Sequence, residues 1–285
     1  MRSRRAVPVA ILALLVATCS SGATSSSGSP SSTPPAVPSS ALTSATRAAT
    51  VELTIYGAAS LKGVLDKAKT IYEAAHPGTT LTISTDSSSA LEVKIEQGAP
   101  VDVFLSADTT NPMKLVDADL ADGAAVDFAR NNLALIVPTG NPAGIQTPAD
   151  LAKPGVKLIA AGDAVPITRY ATQLVANLAK EPGYPPDFVA AYAANIVSRE
   201  DNVKAVVAKI ELGEGDAAIV YATDATTSTK VMTIAVPDAA NVPATCAAVV
   251  VKASSNATAA RAFLDWFAGP EGQAILGSLG FLPPS

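Results

Sequence analysis

The sequence predicts an α/β protein of two lobes, each a mostly parallel sheet flanked by helices, with two crossover strands joining the lobes across a cleft. Three observations predict it. From Val51 the chain alternates strand and helix as βαβαβ. The same alternation restarts at Asn132, and a further apolar strand with two helices follows residue 236, placed to return to the first lobe.

Each element has its own signal. Residues 51–56 are β-prone, and Leu61, Val64, Leu65, Ala68 and Tyr72 then recur at helical spacing until Pro77-Gly78 stops the helix. Residues 80–84 read as a second strand, 89–97 as a helix closed by Gly98, and 101–105 as a third strand. In the second unit, 132–137, 156–161 and 217–221 read as strands, and 168–180 and 201–212 as helices. Residues 231–236 and 247–251 are strands again, followed by helices over 257–267 and 271–279. The implied organisation is a first part of lobe 1 over 51–131, lobe 2 over 132–236, and a return to lobe 1 over 237–285.

Of the 285 residues, 48% are apolar and 16% charged, enough to bury a substantial core. The net charge is −5. Nucleic acid is therefore excluded as a partner, because phosphate backbones are held by clustered Lys and Arg. Residues 1–18 read as a secretory leader: Arg2, Arg4 and Arg5 precede an apolar stretch too short to span a membrane. Val16-Ala17-Thr18-Cys19 resembles a bacterial lipobox, with Thr18 where a smaller residue is usual, so Cys19 is the expected site of lipid attachment. Residues 19–50, rich in Ser, Thr, Pro, Ala and Gly, have little to bury and read as a flexible tether. The other cysteine, Cys246, lies in an apolar segment and reads as a core residue.

In parallel α/β sheets, ligands gather where strands end and helices begin. Gly57-Ala58-Ala59-Ser60 and Asp86-Ser87-Ser88-Ser89 follow the first two strands, offering hydroxyls and free backbone N–H groups. One such serine reads as an ordinary N-cap. Two at successive strand ends point to an anion held by helix N-termini without a full cation. A serine hydrolase fits poorly: the single histidine, His76, lies at the far end of the first helix from Ser60, and no Gly-x-Ser-x-Gly elbow or phosphate-cradling loop occurs. Asp102, Asp108 and Asp224 match no metal spacing and read as helix caps or inter-lobe contacts.

Over nearly all of residues 51–283 the sequence resembles the periplasmic molybdate-binding proteins of ABC importers, which have the two-lobed periplasmic-binding-protein fold. The resemblance is carried by Ala58-Ala59-Ser60-Leu61, Ser87-Ser88-Ser89 with Leu91, and 98–104 with Ser106-Ala107-Asp108. It continues through Val165-Pro166 with Tyr170-Ala171, Glu200-Asp201-Asn202-Val203, Ile219-Val220-Tyr221 with Asp224-Ala225, and Gly269-Pro270. It implies that an oxyanion is held by the hydroxyls of Ser60, Ser88 and Tyr221 and the N–H groups of Ile167 and Val203. On periodicity alone Tyr221 reads as a core aromatic. Ile167-Thr168-Arg169 departs from the small residues usual after Val-Pro; the N–H survives, and Arg169 is expected to be solvated or salt-bridged rather than a ligand.

A cavity of donors suits a fully deprotonated oxyanion; phosphate would need an acceptor, for which Asp86 is the candidate. Molybdate over sulfate follows from the resemblance, and tungstate shares its shape. The resemblance further implies no enzymatic activity and no cofactor, and as partners a permease and its ATPase. Together with the leader it implies an extracytoplasmic, lipid-anchored monomer that captures molybdate or tungstate. A binding protein for sulfate or phosphate, or a sensory oxyanion module, remains the alternative.

Overall fold

A computed structural model of the protein describes residues 50–285; the expected leader, Cys19 and most of the tether lie outside them. Strand β1 (Val51–Ala58) passes through a 3-10 turn (Ala59–Leu61) into α1 (Lys62–Ala75). There follow β2 (Thr79–Asp86), α2 (Ser88–Glu96), β3 (Val103–Leu105), α3 (Thr110–Asp117) and β4 (Val126–Asn131). The second unit comprises β5 (Leu133–Pro138), β6 (Leu158–Ala161), α4 (Pro166–Leu178), α5 (Phe188–Ala194), β7 (Ile196–Glu200), α6 (Val203–Glu211), β8 (Ala218–Tyr221), α7 (Ala222–Thr226) and β9 (Val231–Ile234). The chain ends with β10 (Ala244–Val250), α8 (Ala257–Ala268) and α9 (Pro270–Ser278).

The first sheet has the order β2-β1-β3-β10-β4. Its β2-β1-β3 half is parallel, whereas β10 runs antiparallel to both β3 and β4. The second lobe repeats the plan: β6 and β7 pair in parallel, β5 runs antiparallel to β8 and β9, and a parallel bridge between Leu158 and Ala217 joins the two groups. In each lobe four of the five strands thus point the same way, as expected of a mostly parallel sheet, and one strand, β10 or β5, runs against them. The cause is topological. A strand arriving from the other lobe enters a sheet at the end where the parallel strands finish, so β5 and β10 must run against them.

Burial explains the placement of the elements. In β1, Leu53 and Ile55 are fully buried and alternate with partly exposed residues, while α1 covers them with Val64, Leu65, Ala68 and Tyr72. Gly57 allows the close approach at the end of that strand: a Cβ there would lie 2.2 Å from Leu65 Cδ1. The turn that carries Ser60 is thereby drawn against the core. Cys246 is buried in β10.

The chain crosses between the sheets at Asn132, where β4 leads directly into β5, and returns between β9 and β10. The Asn241 amide ties these crossings together, accepting from Leu133 N at 3.0 Å and donating to Leu133 O at 2.9 Å. It acts as one rung of a ladder that neither strand supplies itself.

Candidate functional site

Six parallel strands end at the cleft, and the turn after each contributes to one small cavity. Ser60 follows β1, Ser88 follows β2 and Ala107 follows β3. From the other side, Ile167 follows β6, Val203 follows β7, and Tyr221 closes β8. All five residues expected from the sequence to meet an oxyanion therefore line one pocket. Ala58, Ala59, Val165 and Pro166 complete an apolar wall.

Local structure sets each donor. Ser87 caps α2, its Oγ accepting from Ala90 N at 3.3 Å, which frees Ser88 in the first turn to face inward. Ser88 is 1% exposed, and its Oγ accepts from Ala107 N at 3.0 Å. One lone pair is thus engaged while the hydroxyl proton remains to be donated. Ser60 Oγ has no hydrogen-bond partner among the described residues. Pro166 opens α4, so the Ile167 N–H lies in the first turn, where no intrahelical acceptor exists. Asn202 caps α6 through Ala205 N at 3.1 Å, leaving the Val203 N–H in the same situation.

The Tyr221 hydroxyl donates to Ala107 O at 3.5 Å, across the cleft. Burial pushes its pKa well above the ordinary phenol value, reinforced by Cys246, Tyr170, Asp108 and Asp224, so it remains a proton donor. Ala107 thus bridges Ser88 and Tyr221 through its own N–H and C=O. Sequence reasoning passed over it because an alanine has no functional side chain; its place between Ser106 and Asp108, in a stretch that carried the resemblance, was the one available signal.

No Lys, Arg, Asp, Glu or His side chain lines this pocket. Asp86 faces a separate open groove, where Oδ1 accepts from Ser87 N at 2.8 Å and Oδ2 pairs with Lys94 at 3.2 Å. Asp108 caps α3 through Asn111 N and lies 3.7 Å from Arg169, while Asp224 pairs with Lys204 at 2.8 Å. Asp102 accepts from Thr54 N at 2.7 Å, within the first lobe. His76 stacks on Tyr72 at the C-terminal end of α1, the opposite end of that helix from Ser60 and of β2 from Ser87 and Ser88. Four helical N-termini and the hydroxyls of Ser60, Ser88 and Tyr221 can hold an anion, and the pocket lining offers no base that would activate a nucleophile.

Two mixed α/β lobes meeting over a pocket of uncharged donors define a two-lobed solute-binding protein. The chain belongs to the bacterial extracellular solute-binding protein family, whose model matches residues 53–282. Its family consists of binding proteins, not enzymes, and the pocket's occupant is accordingly a ligand rather than a cofactor. The chain is 31% identical over 233 residues to the molybdate-binding protein ModA of Mycobacterium tuberculosis, covering 81% of this chain and 85% of that one. A solved substrate-binding domain from Clostridium difficile, assigned to a molybdenum ABC transporter, is 30% identical, with a TM-score of 0.62 over 82% of this chain and all of that one. The sulfate-binding protein SubI of Mycobacterium tuberculosis shares the fold at 20% identity, with a TM-score of 0.73 over 82% of this chain and 87% of its own.

Proposed function

We propose that this protein captures molybdate, and tungstate equally, in the pocket formed by Ser60, Ser88, Ile167, Val203 and Tyr221, and delivers it to an ABC importer. The observation that carries the proposal is the convergence of six strand ends on one cavity whose polar groups are uncharged hydroxyls and amides. In this reading lobe 1 comprises residues 51–131 and 237–285, lobe 2 comprises 132–236, and the crossings at Asn132 and after β9 act as the hinge. Ligand meets the serine turns of lobe 1, and closure brings the amides of α4 and α6 and the Tyr221 hydroxyl onto it. The closed monomer docks on a permease powered by an ATPase, kept near the membrane by acylated Cys19 and its tether.

Selectivity follows from protonation and size. Monohydrogen phosphate carries an O–H, and Asp86, the candidate acceptor, is engaged outside the pocket. An unmet donor would cost about 1–3 kcal/mol. Sulfate satisfies the same donor pattern, and the fold shared with a sulfate-binding protein keeps it as the second reading. A thermal-shift panel of the purified protein separates them. At ~100 times Kd, bound ligand adds about 2.7 kcal/mol of stability. Molybdate and tungstate should produce that shift at concentrations where sulfate and phosphate do not; equal shifts with all four ions would defeat the assignment.

A further inference from the structure

Arg169 is the cationic side chain that reaches across the cleft beside the pocket, and what it grips is the segment that orients two of the pocket's hydroxyls. From the first turns of α4 its Nη1 donates to Thr110 Oγ1, and its Nη2 lies 3.7 Å from Asp108 Oδ2 and 3.1 Å from the Tyr170 hydroxyl. The guanidinium also stacks over the Tyr170 ring at 4.9 Å, which fixes its direction. Asp108 and Thr110 belong to the turn between β3 and α3. That turn is stiff: Asp108 Oδ1 accepts from Ser106 Oγ at 2.8 Å, Asn111 N at 3.1 Å and Asn111 Nδ2 at 3.0 Å. Its next residue back is Ala107, whose N–H holds Ser88 Oγ and whose C=O receives the Tyr221 hydroxyl.

We infer that Arg169 is a latch: a positioning residue that bonds the second lobe to the 106–110 turn only when the lobes are shut, and so sets the rate at which captured solute is released. The inference rests on the pocket being the solute site. The geometry separates latching from capture. Arg169 is absent from the lining of the pocket, so the latch stands apart from the donor set. Thr110 and Asp108 stand on the opposite lobe, so opening the cleft breaks both of those contacts at once while Tyr170 keeps the guanidinium in place. Release must cross that break, whereas the first encounter of solute with the serine turns does not. The side chain is half exposed, so salt screens the interaction.

The test compares the wild-type protein with Arg169→Ala, Arg169→Lys and Thr110→Val. Stopped-flow kinetics with molybdate should show release from Arg169→Ala accelerated roughly fivefold, the upper range for a half-exposed ion pair, with the association rate unchanged. Arg169→Lys should recover part of the slow release, Thr110→Val should lose part of it, and high salt should erase the difference between wild type and Arg169→Ala. Amide exchange at Ala107 in the molybdate-saturated protein should quicken in Arg169→Ala by a similar factor, and in the ligand-free protein the two should exchange alike. Release and exchange identical to wild type would overturn the latch. Should the wild-type protein bind no oxyanion, the site assignment fails and the latch falls with it; binding with release identical to that of Arg169→Ala overturns the latch alone.

Discussion

Ser60 and Ser88 face the same pocket but should respond differently to loss of their hydroxyls. Ser88 Oγ accepts the Ala107 N–H at 3.0 Å in a position 1% exposed, so Ser88→Ala strands a buried amide. Such a group costs about 1–3 kcal/mol. For a folded region of this size each ~1 kcal/mol lowers the melting temperature by about 2–4 °C. The same substitution removes a donor to the anion, and a hydrogen bond to a charged group contributes about 1.5–3 kcal/mol, or roughly ten- to hundredfold in affinity. Ser60 Oγ has no partner among the described residues, so Ser60→Ala should weaken binding to a similar extent while leaving the ligand-free melting temperature within about 2 °C of wild type. Calorimetric titration with molybdate and a ligand-free thermal melt of each variant make the comparison. Equal destabilisation of the ligand-free protein by both substitutions would refute the assignment of hydrogen bonds. Unchanged affinity in both would refute the pocket itself.

Tyr221→Phe should reduce affinity about tenfold or more with little change in ligand-free stability, because the hydroxyl's one protein contact is long, at 3.5 Å. Since its pKa is held well above the ordinary phenol value and no other titratable side chain lines the pocket, molybdate affinity should be flat from about pH 6 to about pH 9 by calorimetry. Glu92 is buried on α2, with Lys114 3.2 Å from Oε2 and no partner for Oε1 among the described residues; burial raises its pKa. The folded state therefore holds the proton more tightly than the unfolded chain, and stability should fall as pH rises from the ordinary glutamate range through Glu92's raised value. Glu92→Gln should flatten that dependence and raise stability at neutral pH in denaturant titrations.

Five of the six strands that carry the pocket were legible as β-prone runs leading into turns of small or hydroxyl residues. β4 and β7 were not, since Asp127, Arg130, Ser198 and Glu200 interrupt any apolar alternation. Both strands lie at a sheet edge, where burial demands less of the sequence. The helix α3 was hidden by Pro112, which reads as a break, although in the first turn its missing N–H costs nothing. Ser60 and Ser88 could be reasoned from their positions at strand ends. Ile167 and Val203 could not, because every residue but proline carries an N–H, and only the resemblance singled these out. Arg169 was expected to be solvated or salt-bridged rather than a ligand, and that its partner Asp108 stands on the other lobe depended on packing that no local pattern encodes.

Donors that belong to the main chain have a genetic consequence. At Ile167 and Val203 nearly every codon change preserves the group that would touch the ion, so an alanine scan, which trims two buried side chains, would report on packing and miss that contact. Proline alone deletes the hydrogen, which makes a proline scan through the openings of α4 and α6 the way to make that half of the pocket visible to mutagenesis.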